Sequence, residues 1–206
     1  MPVLTDDDLT RRHDLKAELR ARKIAERQAL SPEAAEAAAR RATQHALNVL
    51  EPVAGKIVAL YSPIRGEIDP GMLAGRLRHD GAVLALPCVH DPEFPMEFRL
   101  WRPEDPLHRG YGGIREPARD APSVMPEAVV VPLSAYDRRG FRVGYGQGHY
   151  DRTLGAMAQH ARPFTLGYAF ALQEVEEVPR ELHDVPLDAI VTENGVIRCT
   201  GPLGGA

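Results

Sequence analysis

The chain has 206 residues, of which 44% are apolar and 18 each are glycine and proline, a composition that excludes a disordered or collagen-like protein and supplies a core. Its net charge of −4 argues against a protein that binds nucleic acid through phosphate contacts, because such proteins are usually basic. No apolar run approaches the roughly 18 residues of a membrane span, and the N-terminus lacks the basic and apolar regions of a signal peptide.

Two helices are predicted over residues 6–50. Thr5 is placed to cap the first, and the aspartates at 6–8 then fall in its first turn, where negative charge complements the helix dipole. Ser31 followed by proline marks the start of the second helix, which ends before Pro52.

A strand–loop–helix–strand unit follows. The strand is predicted over residues 56–61, the helix begins at Asp69-Pro70 and stops at Gly81, and the next strand covers residues 82–89. Such a unit implies a parallel sheet with helices on its faces. Further strands are predicted over residues 96–101, 129–133, 165–169 and 189–191, with a closing hairpin at 195–198, a helix from about 148 to 161 and a long loop at 102–126. We therefore expect a single α/β domain over residues 1–206, a three-layer α/β/α sandwich preceded by two N-terminal helices.

The segment of residues 142–151 carries the densest chemical signal. Gly144, Gly146 and Gly148 alternate between a strand and a helix, so that backbone N–H groups and the helix N-terminus can surround an anion. Arg142 adds a fixed positive charge, and Asp151 follows where a carboxylate suits Mg²⁺ beside phosphate. The segment matches neither a Walker A loop nor a dinucleotide fingerprint, and a glycine-rich turn is the commoner use of such a pattern.

Two further segments have weaker signals. Lys16 and Arg20 are one helical turn apart and share a face with Arg12 and Lys23, although such a strip is usually a solvated surface. Glu67 follows the first strand, where open α/β sheets bind ligands, and is either an acceptor for an amino-heterocycle or an ordinary surface residue.

Acidic and histidine side chains suggest a cation site. Asp184 is a candidate second carboxylate beside Asp151, and His149 with His183 raises a zinc alternative. No HExxH spacing supports zinc, and no Gly-x-Ser-x-Gly elbow supports a covalent nucleophile.

Taken together these segments resemble the 5-formyltetrahydrofolate cyclo-ligase family, also called 5,10-methenyltetrahydrofolate synthetase. The resemblance spans about residues 14–193 and rests on Lys16 with Arg20, on residues 66–69, 113–117 and 181–184, and above all on residues 142–152. It implies a Rossmann-like, mostly parallel sheet and an enzyme that closes 5-formyltetrahydrofolate to 5,10-methenyltetrahydrofolate, with ATP as co-substrate and Mg²⁺ as cofactor.

The resemblance also implies roles for residues. Arg142 and Tyr150 would be catalytic. ATP would contact Lys16, Arg20, Arg142, Val143, Gly144, Tyr145, Gly146, Gln147, Gly148, His149 and Tyr150. Folate would contact Ser62, Glu67, Tyr145, Gly146, Gln147, Gly148 and His149. Asp151 and Asp184 would hold the metal.

Two departures from the family pattern leave alternatives open. Some members have lysine where Gln147 stands, and many have an aromatic residue where His149 stands. One alternative is a non-catalytic nucleotide- or folate-binding module on the same fold. Another is a metal-dependent hydrolase using His149, Asp151, His183 and Asp184.

Location and partners follow from composition. Cys88 and Cys199 are the only cysteines and flank apolar runs, so we expect reduced thiols in a cytoplasmic protein. We expect no nucleic-acid or membrane partner, and no obligate protein partner is evident.

Overall fold

A computed structural model describes residues 6–181 and 184–200. Thr5, the predicted cap of the first helix, and His183, part of the hydrolase alternative, lie outside these ranges. The helices are α1 (Asp6–Gln28), α2 (Pro32–Leu50), α3 (Gly71–His79) and α4 (His149–Ala158), with single 3-10 turns at Tyr111–Gly113 and Ala171–Gln173. Within the described ranges, no helix is long and apolar enough to cross a membrane.

Eight of the strands form one sheet. The strands are β1 (Ile57–Ala59), β2 (Val83–Cys88), β3 (Glu97–Leu100), β4 (His108–Arg109), β5 (Arg115–Glu116), β6 (Ser123–Val124), β7 (Ala128–Val131), β8 (Ala135–Tyr136), β9 (Arg142–Val143), β10 (Phe164–Tyr168), β11 (Ala189–Thr192) and β12 (Gly195–Arg198). The sheet order is β12-β11-β10-β7-β1-β2-β3-β6, while β4-β5 and β8-β9 are separate two-stranded ribbons.

The five central strands, from β11 to β2, are parallel, and the outer pairs are antiparallel. Val58 of β1 lies between Leu84 of β2 and Ala128 of β7, which fixes the register at the centre. The mostly parallel α/β sheet predicted from the sequence is confirmed. The strand predicted at 96–101, β3, is not the edge strand of the sheet. The edge strand is β6, which forms within the long loop and pairs with β3.

Helices cover both faces of the sheet. On one face, α2 and α3 bury small and branched side chains such as Ala42, Ala46 and Leu73. On the other face, α4 buries Leu154 and Met157. Every residue of β7 is buried, as expected for a parallel strand covered on both sides. The second helix begins where predicted. The hydroxyl of its N-cap residue, Ser31, accepts a hydrogen bond of 3.2 Å from the backbone amide of Ala34, the third residue of the helix.

Helix α1 lies across the loops at the carboxyl ends of the central strands. Its basic strip faces inward: Lys23 and Arg27 are buried, and Lys16 and Arg20 are half-buried. The Lys23 ammonium donates to the Leu172 carbonyl at 2.6 Å. The first helix thus carries its charges toward the sheet ends rather than into solvent, against the usual expectation for such a strip.

Candidate active site

A cavity of about 830 Å³ opens where the parallel strands end, a volume typical of ligand sites. Its wall contains every residue that the family resemblance assigned to the site: Lys16, Arg20, Ser62, Glu67, Arg142, Val143, Gly144, Tyr145, Gly146, Gln147, Gly148, His149, Tyr150, Asp151 and Asp184. These residues come from α1, the loop after β1, the β9–α4 loop and the segment before β11. The structure therefore brings together residues separated by as many as 168 positions, while their roles stay predictions.

The β9–α4 loop presents backbone N–H groups to this cavity. Gly146 and Gly148 have φ of +88° and +66°, values that glycine adopts readily. A side chain on Gly146 would lie 3.2 Å from the Arg20 guanidinium, so the loop and α1 are in close contact there. Gly148 caps α4 without a side-chain hydrogen bond, and the first-turn amides therefore stay available to an anion.

Two cations of the wall have no carboxylate partner within the described residues. Arg20 donates its Nε to the Gly144 carbonyl at 2.6 Å, and the Arg65 guanidinium lies 5.2 Å from the centre of the Tyr145 ring. No described carboxylate lies within 4.0 Å of either guanidinium, unlike Lys16, which contacts Asp184 at 2.7 Å. The wall therefore offers positive charge to an anionic ligand.

Two carboxylates stand on the same wall. Asp151 Oδ1 accepts hydrogen bonds from Arg142 Nη2 at 2.9 Å and from the Val185 amide at 3.0 Å. Asp184 Oδ2 accepts from Lys16 Nζ and from the Glu181 amide. In residues 6–181 and 184–200 no three His, Cys, Asp or Glu side chains form a metal-binding group. Mg²⁺ usually takes one or two carboxylates together with phosphate oxygens, so the chemistry of these two carboxylates suits a cation that arrives with a nucleotide.

Glu67 is a buried carboxylate with one oxygen left unbonded. Its Oε2 accepts a hydrogen bond of 2.9 Å from the Ile64 amide, whereas the buried Oε1 has no hydrogen-bond partner. Burial raises the pKa of Glu67 to about 7, against the opposing effects of the Ile64 hydrogen bond and of Arg27. A carboxylate of this kind suits a ligand that brings its own N–H donors.

Three further predicted residues have distinct surroundings. The Ser62 hydroxyl donates to the Arg115 carbonyl at 2.6 Å and so holds the β4–β5 ribbon against the cavity. The His149 ring meets Tyr111 edge-on at 5.6 Å, and burial lowers the pKa of His149. Burial raises the pKa of Tyr150 well above its ordinary value, so its hydroxyl remains a neutral donor.

Sequence reasoning missed part of the wall. Tyr61, Arg65 and residues 111–114 line the cavity, although sequence analysis identified only the 113–117 segment, as a family feature without a role. Arg27, beneath the cavity floor, was missed as well. It continues the basic strip four residues after Lys23, and that spacing was the available signal.

Comparisons with known proteins identify the family of this chain. The sequence pattern of the 5-formyltetrahydrofolate cyclo-ligase family matches residues 12–193. A 5-formyltetrahydrofolate cyclo-ligase of Haemophilus influenzae is 36% identical over 150 residues, covering 70% of this chain and 80% of that protein. The Escherichia coli K12 protein of that name is 33% identical over 175 residues, covering 82% and 96%.

A solved structure has the same fold. The NMR structure of Aquifex aeolicus 5,10-methenyltetrahydrofolate synthetase superposes with a TM-score of 0.70 at 32% identity, covering 89% of this chain and 92% of that one. The Mycoplasma pneumoniae synthetase, at 21% identity and the same TM-score, supports the fold.

Proposed function

Because this chain belongs to the 5-formyltetrahydrofolate cyclo-ligase family and is an ATP-dependent ligase that closes 5-formyltetrahydrofolate to 5,10-methenyltetrahydrofolate, we propose that the cavity at the strand ends is its active site. One observation carries the proposal. A glycine loop with free cations and a buried carboxylate with an unbonded oxygen open on the same cavity. The glycine loop and the cations suit a triphosphate, and the buried carboxylate suits the pterin ring of folate.

The triphosphate binds against the β9–α4 loop. Amides of residues 143–150 and the N-terminus of α4 face its oxygens, while Arg20 and Lys16 supply positive charge from α1. Arg142 stabilises the developing charge, and its hydrogen bonds to Asp151 and to the Val185 carbonyl orient it. The Tyr150 hydroxyl, kept neutral by burial, donates a further hydrogen bond to the phosphoryl group.

Asp151 and Asp184 would hold Mg²⁺. Bound with the nucleotide, the ion would neutralise charge on the phosphates during phosphoryl transfer. The ion pairs of these carboxylates with Arg142 and Lys16 keep both of them in place before the nucleotide arrives.

Folate binds through Glu67. Its Oε1 accepts an N–H group of the pterin, and Tyr145 of the glycine loop lies beside it. Residues 145–149 therefore contact both substrates, with Gln147 and His149 on the exposed and half-buried parts of the loop. Ser62 supports this side through the ribbon it binds.

The reaction needs no covalent nucleophile from the protein. The formyl oxygen of 5-formyltetrahydrofolate attacks the γ-phosphorus, the bond to ADP breaks, and ADP leaves. Folate N10 then adds to the activated formyl carbon and loses its proton, and the carbon–oxygen bond breaks with release of phosphate as the ring closes. The protein positions the two substrates and stabilises charge, which is the main contribution of enzymes to phosphoryl transfer.

The alternatives weighed from the sequence are less favoured. Relatives that are named as ligases and match most of the chain do not favour a non-catalytic binding module. The same ligase names count against the metal-dependent hydrolase, one of whose predicted residues, His183, lies outside the described residues. A cytoplasmic location stays a prediction.

A spectrophotometric assay tests the function directly. The protein is incubated with 5-formyltetrahydrofolate, and the methenyl absorbance is followed with ATP and Mg²⁺ and with each omitted. We expect product only in the complete mixture. Product formed without ATP would overturn the proposed mechanism, and no product from folded, magnesium-replete protein would overturn the function.

A further inference from the structure

We propose that Arg27 is a positioning residue of the folate site: from beneath the cavity it favours the ionised form of the Glu67 carboxylate and leaves Glu67 Oε1 unbonded for the substrate. The inference rests on the proposed role of Glu67 in binding folate. Arg27 itself does not line the cavity and touches no substrate.

The Arg27 side chain is fully buried and donates hydrogen bonds to the segments that follow β1, β7 and β9. Nε donates to the Arg65 carbonyl at 3.0 Å and Nη1 to the Leu133 carbonyl at 3.0 Å. Nη2 donates to the Tyr145 hydroxyl and reaches the Ile64 carbonyl at 3.5 Å. All four acceptors are neutral, so the positive charge of the guanidinium is not neutralised by its own hydrogen bonds.

The nearest described carboxylate is that of Glu67. Its Oε1 lies 4.0 Å from Arg27 Nη2, beyond hydrogen-bond distance but close enough for a strong charge interaction in a buried site. Arg27 therefore stabilises the ionised form without occupying the oxygen. A direct hydrogen bond from Arg27 to Oε1 would also stabilise the ionised form, but it would occupy the oxygen that the substrate is proposed to use.

Few other groups can replace this charge. The titratable and charged groups that face Glu67 are Arg27 from α1, Arg65 from its own loop, Tyr61 after β1, Tyr145 from the glycine loop and Tyr150 from α4. The tyrosines carry no charge, although the Tyr145 hydroxyl also lowers the pKa of Glu67. Arg65 is exposed, so water screens its charge. Without Arg27 the pKa of Glu67, which burial already raises to about 7, would rise further, and the protonated carboxyl would lose acceptor capacity.

The test compares two substitutions of Arg27. Arg27→Gln removes the charge and keeps two N–H donors, whereas Arg27→Lys keeps the charge but loses the planar set of guanidinium N–H donors. For each folded variant, kcat and KM for 5-formyltetrahydrofolate are measured from pH 5.5 to 9 at saturating ATP. We expect the acid limb of kcat/KM to move up by about one pH unit or more in Arg27→Gln, with a raised folate KM and little change in kcat at high substrate. In Arg27→Lys we expect the limb near its wild-type position and a smaller rise in KM.

Lys23→Gln is the matched control, because Lys23 is a buried cation on the same helix face that does not line the cavity. It should leave the acid limb in place. An unmoved limb in folded Arg27→Gln would overturn the proposal and leave Arg27 a structural residue. Should Arg27→Gln not fold, Arg27→Lys decides: a limb displaced by a full unit despite the retained charge, or a folate KM equal to that of wild type, would also overturn it.

The same measurements in a Glu67→Gln variant separate this inference from the proposed function. In Glu67→Gln the acid limb should vanish, and adding Arg27→Gln should then produce no further limb shift. If Glu67→Gln leaves the limb and the folate KM unchanged, the folate role of Glu67 fails. If Glu67→Gln behaves as expected but Arg27→Gln shifts a limb in both backgrounds, only the role of Arg27 fails.

Discussion

Replacing Asp151 by asparagine removes one charge from the proposed metal site with the least change in shape. The amide oxygen can still accept the hydrogen bonds from Arg142 and the Val185 amide. At 2.9 Å the lost attraction is about 6 kcal/mol for an effective dielectric constant of 20, but desolvation offsets most of it. Because both hydrogen bonds remain, we expect a net loss of about 1–3 kcal/mol in the free energy of unfolding. The protein should stay folded.

Activity should fall much further than stability. Asp151 is proposed to hold the cation that neutralises phosphate charge, and loss of one such electrostatic contact costs roughly 10²–10³ in rate. We expect kcat/KM for ATP to drop by that factor in the methenyl absorbance assay. The magnesium concentration for half-maximal rate should rise in parallel, since one carboxylate ligand is missing.

Asp188→Asn is a closely matched control. Asp188 and Asp151 have side chains of equal exposure, 22%, and each carboxylate contacts an arginine and a backbone amide. Asp188 lies outside the cavity wall, so its variant should keep activity within about twofold, as expected for a surface pair worth 0–1 kcal/mol. Wild-type magnesium dependence in Asp151→Asn, or an equal loss of activity in Asp188→Asn, would refute the assignment.

Three further outcomes are expected. Because burial raises the pKa of Glu67 to about 7, the folded state binds a proton more tightly than the unfolded chain. Stability should thus fall as pH rises from 5 to 8, by up to about 3 kcal/mol in urea denaturation, and Glu67→Gln should flatten that fall; identical profiles would contradict it. Gly140→Ala should destabilise by at least about 3 kcal/mol, since φ is +94° and the new carbon would lie 2.5 Å from the Leu187 carbonyl oxygen; an unchanged urea midpoint would be inconsistent with this contact. Arg20→Met should raise KM for ATP about tenfold with folate KM unchanged, while Arg22→Met, on the exposed face of the same helix, should leave both constants alone.

Local sequence signals determined most of the secondary structure. The Ser31-Pro32 start, the strand at β7 and the strand-to-helix turn before α4 follow from capping, apolar runs and glycine spacing, which act within a few residues. The loop at 102–126 was less readable, because β4, β5 and β6 are only two residues long; β4 and β5 pair with each other, and β6 pairs with β3 outside the loop. Short strands of that kind carry too little periodicity to be recognised from sequence.

The types of chemical group in the site were also readable from the sequence, with the help of the family resemblance. Glycine spacing, the Lys16–Arg20 pair and the acidic residues pointed to phosphate and a hard cation. Only the tertiary structure decided whether these groups face the cavity or the solvent. A strip of cations on α1 has the same sequence pattern whether it faces water or the protein, and its orientation depends on packing against β8, β9 and the 3-10 turn at Ala171–Gln173.

The ionisation of Glu67 belongs to the same class. Its sequence neighbours suit a surface turn, and the pKa is raised by burial against the opposing charge of Arg27, which is 40 positions away in the chain. Desolvation and through-space charge depend on distance in space rather than along the sequence. The sequence by itself therefore determined the elements and the available chemistry, and the fold decided which charges are buried, which are paired and which remain open to a ligand.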